Sequence, residues 1–120
     1  MDITAVIAQM KKEPGFSDNV GMILVHNGVV RGWSRKGREQ VKYVDVSVDK
    51  QKIDDLQREY SKKPGIYKVL VEFRTGRLNP GEDLLFIVVA GDIRENVKPV
   101  LSELLNRVKS EAVTKSEIPF

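Results

Sequence analysis

Residues 84–90 read Leu-Leu-Phe-Ile-Val-Val-Ala, an unbroken apolar run that decides the fold. The run is shorter than a typical helix, and its Phe, Ile and Val residues favour an extended strand. A strand without alternating polar positions must be covered on both faces. We therefore predict that residues 84–90 form a strand in the middle of a sheet.

Three further strands and three helices are predicted around this run. Strands are indicated where apolar and β-branched residues cluster or alternate with polar ones, at 20–30, 41–48 and 67–73. Helices are indicated where apolar residues recur at helical spacing, at 3–10, 49–63 and 97–108. The resulting order αββαββα does not alternate like a doubly wound sheet, so we predict an α+β fold whose mixed or largely antiparallel sheet is packed by helices.

Local signals refine these elements. Asp2, Asp49 and Asp92 are predicted N-caps, and Pro99 is compatible with a helix only in its first turn. The interruption His26-Asn27-Gly28 predicts a bulge or tight bend in the first strand.

The chain has 120 residues, of which 41% are hydrophobic, enough for one buried core. We expect a single domain over residues 1–120, with a polar and mobile tail at 111–120. No secretory signal and no membrane-spanning stretch is indicated, so we expect a soluble, cytoplasmic protein. Because the chain contains no cysteine, any sulfur that it handles must be supplied by another molecule.

Basic residues are concentrated at 31–38, which contains Arg31, Arg35, Lys36 and Arg38. This segment could be a solvated loop, or it could bind a phosphate-bearing ligand or an acidic partner. Trp33 could stack on a heterocycle or a guanidinium group, or anchor the loop. His26 is the only histidine, and we interpret it as structural because one histidine does not make a metal site.

Four landmarks together carry a resemblance to the large subunit of molybdopterin synthase. They are Gly21 at the start of a strand, Gly28-Val29-Val30-Arg31, the segment 71–83 that contains Arg74-Thr75-Gly76-Arg77-Leu78 and Pro80-Gly81-Glu82-Asp83, and Val88 to Arg94 followed by a helix that leads to Lys109 and Lys115. Each motif is weak alone, but their order and spacing are similar to those of this family over nearly the whole chain.

The resemblance implies a role in molybdenum cofactor biosynthesis. The implied partner is a small ubiquitin-like subunit ending in Gly-Gly, whose terminal thiocarboxylate supplies the sulfur. The implied reaction converts cyclic pyranopterin monophosphate into molybdopterin, without a metal or other cofactor bound by this chain. The implied assembly is a homodimer of large subunits within a heterotetramer.

The resemblance also implies site residues. Arg31 and Arg94 match family arginines that bind the substrate, as suits a guanidinium fork facing phosphate. Lys109 and Lys115 match catalytic lysines, with Lys109 at the terminal carboxyl of the small subunit. Lys115 matches only with a one-residue deletion, and without that gap Ser116 takes the position.

The chain departs from the family pattern at three places. Ile93 and Phe73 stand where the family has histidines, and Val113-Thr114 stand where it has an aromatic pair. One alternative is therefore a non-catalytic relative that keeps the dimer and partner binding but not sulfur transfer. A second alternative is a nucleic-acid binding module formed by the basic segment and Trp33.

Overall fold

A computed structural model describes all residues from Met1 to Phe120. The helices are α1 (Ile3–Met10), α2 (Phe16–Asn19), α3 (Lys50–Ser61) and α4 (Arg94–Arg107), and a π-helical turn, Val108–Ala112, continues α4. The strands are β1 (Met22–Val29), β2 (Val41–Val48), β3 (Ile66–Phe73), β4 (Gly76–Leu78), β5 (Asp83–Gly91) and β6 (Val113–Pro119). None of the helices combines the length and the apolar character needed to cross a bilayer.

The strands form two three-stranded sheets in which every pairing is antiparallel. The first sheet has the order β1-β5-β3 and the second has the order β4-β2-β6. The predicted α+β class and antiparallel pairing are therefore confirmed, and β5 occupies the predicted central position. A register irregularity between Gly28 and Val29 confirms the bulge near the end of β1.

The core explains why β5 has no alternating polar residues. One face of β5 presents Leu85, Ile87 and Val89 to a cluster that includes residues of α3 and α4. The opposite face presents Val88 and Ala90 to Met10 of α1. Because both faces are covered, burying polar side chains there would require hydrogen-bond partners that an apolar core does not provide.

The predicted mobile tail is wrong, because residues 113–119 form β6. Lys115 pairs with Val46 and Val113 pairs with Val48 along the edge of β2. Backbone hydrogen bonds to β2 satisfy groups that a free tail would leave to solvent. The polar composition of residues 113–119 gives no strand signal, because the strand is stabilised by β2, which lies more than sixty positions away in the sequence.

The N-cap positions of α1 and α3 agree with prediction, whereas the start of α4 does not. Asp2 accepts a hydrogen bond from the Ala5 amide and Asp49 accepts one from the Lys52 amide. The N-cap of α4 is Ile93 rather than Asp92, although the Asp92 carboxylate accepts a hydrogen bond from Asn96. Because α4 starts at residue 94, Pro99 lies in its second turn rather than its first.

A candidate anion-binding site

A cavity of about 620 Å³ lies where the two sheets and the end of α4 meet. Its walls come from the end of β1, the following loop, β3, β5, the π-helical turn and β6. The residues around it are His26, Asn27, Gly28, Val29, Arg31, Arg35, Phe73, Leu84, Leu85, Lys109, Val113 and Lys115. We call it the cationic cavity, because its wall includes four cationic side chains and no carboxylate.

Sheet register explains why Lys115 faces this cavity. Lys115 lies opposite Val46 in the antiparallel pair, and directly opposed residues project from the same face of a sheet. The Val46 side chain is buried against the core, so Lys115 projects from the inner face of the second sheet. The pairing of β6 with β2 therefore brings Lys115 to the cavity.

Burial lowers the pKa of Lys115, and the positive charges of Arg31 and Lys109 lower it further, while Glu117 acts in the opposite direction. Since burial favours the neutral amine and nearby cations oppose a further charge, the lysine stays protonated less readily than one in water. An anion in the cavity would relieve this repulsion. The electrostatics therefore indicate a site for an anionic ligand.

Trp33 contacts two guanidinium groups. The Arg31 Cζ atom lies 4.9 Å from the centre of the Trp33 ring, and the Arg38 Cζ atom lies 4.2 Å from it. Cation–π contacts of this kind restrict the arginine side chains. Trp33 therefore helps to orient Arg31 beside the cationic cavity.

An ion-pair network supports the π-helical turn that carries Lys109. The Arg107 guanidinium donates to Glu111, with an Nε–Oε2 distance of 2.7 Å, and to Glu59, with an Nη1–Oε2 distance of 2.6 Å. Lys52 Nζ lies 3.0 Å from Glu111 Oε1. The network thus links the turn to α3.

This network makes the free energy of unfolding depend on pH. The hydrogen bonds from Arg107 and then Lys52 lower the pKa of Glu111 to about 2. Because the folded-state pKa is depressed, the stabilisation is complete above the ordinary glutamate value of about 4.5 and is lost as pH falls toward about 2. Chemical denaturation at pH 6, 4 and 3 should show a smaller acid-induced loss in Glu111→Gln than in the wild type. Identical pH dependence in both proteins would contradict this assignment.

Arg94 lies outside the cationic cavity. It borders a shallow surface with Gly21, Met22 and Glu95, near the start of β1, whereas the cavity lies at the other end of that strand. At about 3.3 Å per residue, the length of β1 separates the two by roughly 20 Å. The Arg94 side chain is 77% exposed and pairs with Glu95. Within one chain, Arg31, Lys109 and Lys115 converge and Arg94 does not join them.

A second cleft, of about 670 Å³, lies near the start of β1. Its wall includes Asp18 and Asp92 and no lysine or arginine. The negative charge of these two carboxylates makes the second cleft unsuitable for an anion, although its volume is similar to that of the cationic cavity.

His26 also borders the cationic cavity. The sequence had indicated only a structural role for this residue. Its Nε2 atom is buried without a hydrogen-bond partner, an arrangement that costs about 1–3 kcal/mol. Burial, and then the charge of Lys109, lower the pKa of His26. The sequence signal that could have placed His26 on the inner face is the alternation of side chains along β1. A period of two puts Met22, Leu24 and His26 on one face.

Comparison with known proteins identifies the family. The sequence family described as MoaE protein matches residues 1–111. The chain belongs to the MoaE family. As a MoaE protein it is the large subunit in molybdenum cofactor biosynthesis, which confirms the resemblance read from the motifs. No curated protein sequence matches the chain.

Solved structures share the MoaE fold. Molybdopterin synthase from Staphylococcus aureus is 21% identical, with a TM-score of 0.72, over 84% of this chain and 76% of that one. Molybdopterin cofactor biosynthesis protein E from Burkholderia multivorans is 17% identical, with a TM-score of 0.75, over 100% and 82%. A complex of subunits 1 and 2 of molybdopterin-converting factor from Helicobacter pylori is 15% identical, with a TM-score of 0.70, over 99% and 84%.

Proposed function

We propose that this MoaE protein catalyses sulfur transfer in the cytoplasm, from the C-terminal thiocarboxylate of a small ubiquitin-like subunit to cyclic pyranopterin monophosphate. The observation that carries the proposal is the convergence of Arg31, Lys109 and Lys115 around one cavity without a carboxylate. Both reactants are anionic, and a cationic cavity attracts both. The chain contributes no cysteine, which is consistent with sulfur arriving on the partner.

The three cations suit different parts of the reaction. Arg31 can donate two parallel hydrogen bonds to a phosphate, and Trp33 restricts its position. Lys109, on the π-helical turn, is the group we assign to the reacting acyl carbon, where its charge stabilises negative charge that develops on the carbonyl oxygen. Burial and the neighbouring cations lower the pKa of Lys115, so a bound anion would stabilise its protonated form.

The partner is assigned from the resemblance and from the H. pylori complex, which contains subunits 1 and 2 of a molybdopterin-converting factor. We propose that the small subunit ends in Gly-Gly and inserts this tail into the cationic cavity. Glycines suit such a tail because, without side chains, their backbone can approach the cavity wall closely.

We further propose a homodimer within a heterotetramer. If Arg94 binds substrate, as the resemblance implies, its position on one protomer requires that it act in the site of a second copy. A sedimentation experiment on the chain alone and with its small subunit tests this assembly. A monomeric large subunit in the active complex would contradict it.

The activity test mixes the chain with a thiocarboxylated small subunit and cyclic pyranopterin monophosphate, and molybdopterin should form. Binding without product would instead favour the non-catalytic relative. The nucleic-acid alternative predicts oligonucleotide binding that weakens steeply with salt. It has less support, because the Trp33 ring already contacts two guanidinium groups.

Arg31→Gln should weaken binding of cyclic pyranopterin monophosphate by about 10- to 100-fold, because a charge-assisted hydrogen bond contributes about 1.5–3 kcal/mol. Isothermal titration calorimetry measures the change. The control is Arg58→Gln, since the Arg58 side chain is 63% exposed and pairs with Asp55 on α3. Equal affinities of Arg31→Gln and the wild type would remove Arg31 from the site.

A further inference from the structure

Residues 31–40, here named the basic hairpin, form an ordered turn between β1 and β2. Trp33 and Gln40 make an antiparallel backbone bridge that joins the two legs of the hairpin. The Ser34 hydroxyl donates to the Glu117 carboxylate of β6, with an Oγ–Oε1 distance of 3.1 Å. These contacts hold the legs to each other and the hairpin to the second sheet, so the basic residues are presented on a defined surface.

The four cations of the basic hairpin form no salt bridge. Arg31 is partly buried, while Arg35, Lys36 and Arg38 are exposed. Elsewhere in the chain, five lysine and arginine side chains lie within salt-bridge distance of a carboxylate, namely Lys52, Arg58, Lys68, Arg94 and Arg107. The charge of the hairpin is therefore available to an anion from outside the chain.

Arg38 has a backbone conformation that is unfavourable for arginine. Its φ is 57°, and it is the only residue other than glycine with a positive φ. Glycine and asparagine adopt this left-handed conformation more readily than residues with long side chains. An unfavourable conformation of this kind is expected where the side chain has a function, so the guanidinium group of Arg38 needs an explanation beyond folding.

Trp33 holds the guanidinium group of Arg38 in place without using its hydrogen-bond donors. The Arg38 Cζ atom lies 4.2 Å from the centre of the ring, which Arg31 also contacts. A cation–π contact restricts the side chain but occupies no acceptor, so the N–H groups directed away from the ring stay free. The guanidinium can therefore donate two parallel hydrogen bonds to a carboxylate.

The charge of the basic hairpin continues from the wall of the cationic cavity to the outer surface. Arg31 and Arg35 border the cavity, whereas Lys36 and Arg38 do not. Cyclic pyranopterin monophosphate has one phosphate group, which the cations in the cavity wall can bind. A partner that also covers the outer cations must be larger than this substrate and must carry several negative charges.

We propose that the basic hairpin is the docking surface for an acidic face on the folded body of the small subunit, with Arg38 donating to a carboxylate of that face. The proposal rests on the proposed function, in which the tail of the same subunit enters the cationic cavity. While the tail lies in the cavity, the body stays outside it, beside Lys36 and Arg38. Opposite charges on the two surfaces also speed up association.

Binding is measured with the organism's own small ubiquitin-like subunit in its carboxylate form, so that no turnover occurs. Arg38→Asn should weaken binding about 10-fold or more, the effect of losing a charge-assisted hydrogen bond. Arg38→Glu should weaken it further, because the new carboxylate repels an acidic face. Asparagine suits the left-handed conformation, so the melting temperature of Arg38→Asn should equal or exceed that of the wild type. The control is Arg58→Gln on α3, which should bind like the wild type.

Salt and other ligands identify what the hairpin binds. Raising NaCl from about 50 to about 500 mM should reduce the difference between Arg38→Asn and the wild type, because salt screens exposed charges. The two proteins should bind cyclic pyranopterin monophosphate with equal affinity.

An Arg38→Asn affinity within threefold of a wild type that binds the small subunit would overturn the docking surface and leave the proposed function intact. A loss of affinity for cyclic pyranopterin monophosphate, or for an oligonucleotide, as large as the loss for the small subunit would assign the hairpin to that ligand and overturn the docking surface. A wild type without affinity for the small subunit would overturn the proposed function as well.

Discussion

Replacing Lys109 by alanine should lower the single-turnover rate of the proposed sulfur transfer by about 100- to 1000-fold, because one preorganised group that stabilises a developing oxyanion contributes this much to catalysis. Lys109 lies at the cavity on a turn that Arg107 and Glu111 hold in place. The measurement is molybdopterin formation from a preassembled complex with thiocarboxylated small subunit.

The matched control is Lys98→Ala, which removes an exposed lysine from α4 outside the cavity and should leave the rate unchanged. Lys109→Ala should also raise the pKa of His26, because the charge of Lys109 is one of the causes that lower it. A Lys109→Ala rate within threefold of the wild type would exclude Lys109 from the reaction.

Leu104→Ala should lower the free energy of unfolding by about 2–5 kcal/mol, the range for truncation of a buried leucine. Leu104 is 0% exposed and belongs to the cluster that joins α4 to the first sheet. Its loss leaves a space that neighbouring side chains fill only in part. Urea denaturation should show a lower midpoint with an unchanged slope.

Leu105→Ala is the matched control, because Leu105 is the next residue of α4 and is only partly buried. The same atoms are removed, so the difference between the two variants isolates burial. Equal losses of stability would contradict the position of Leu104 in the core.

Local pattern was sufficient for most of the first sheet and its helices. The apolar run at 84–90 predicted a central strand, since only a strand covered on both faces lacks polar alternation. Asp2 and Asp49 predicted helix starts because a cap acts on amides only a few residues away. The family resemblance rested likewise on motifs that are continuous in the sequence.

The strand β6 was missed because its polar residues contain no strong strand signal of their own. Its backbone is stabilised by β2, and the pairing places Lys115 on an inner face that its own neighbours do not reveal. The separation of Arg94 from Arg31 also depends on strand pairing and could not be read from the residues around either arginine. Sequence order puts both just beyond strands, but antiparallel pairing of β1 with β5 sends them to opposite ends of the sheet.

The sequence by itself determined most of the first sheet and its helices, the central strand and the family, because these depend on composition and on residues close together in the chain. The tertiary structure decided which side chains share a cavity and that His26 has an unpaired nitrogen. Those features depend on strand pairing and burial between residues far apart in the chain, which no local pattern encodes.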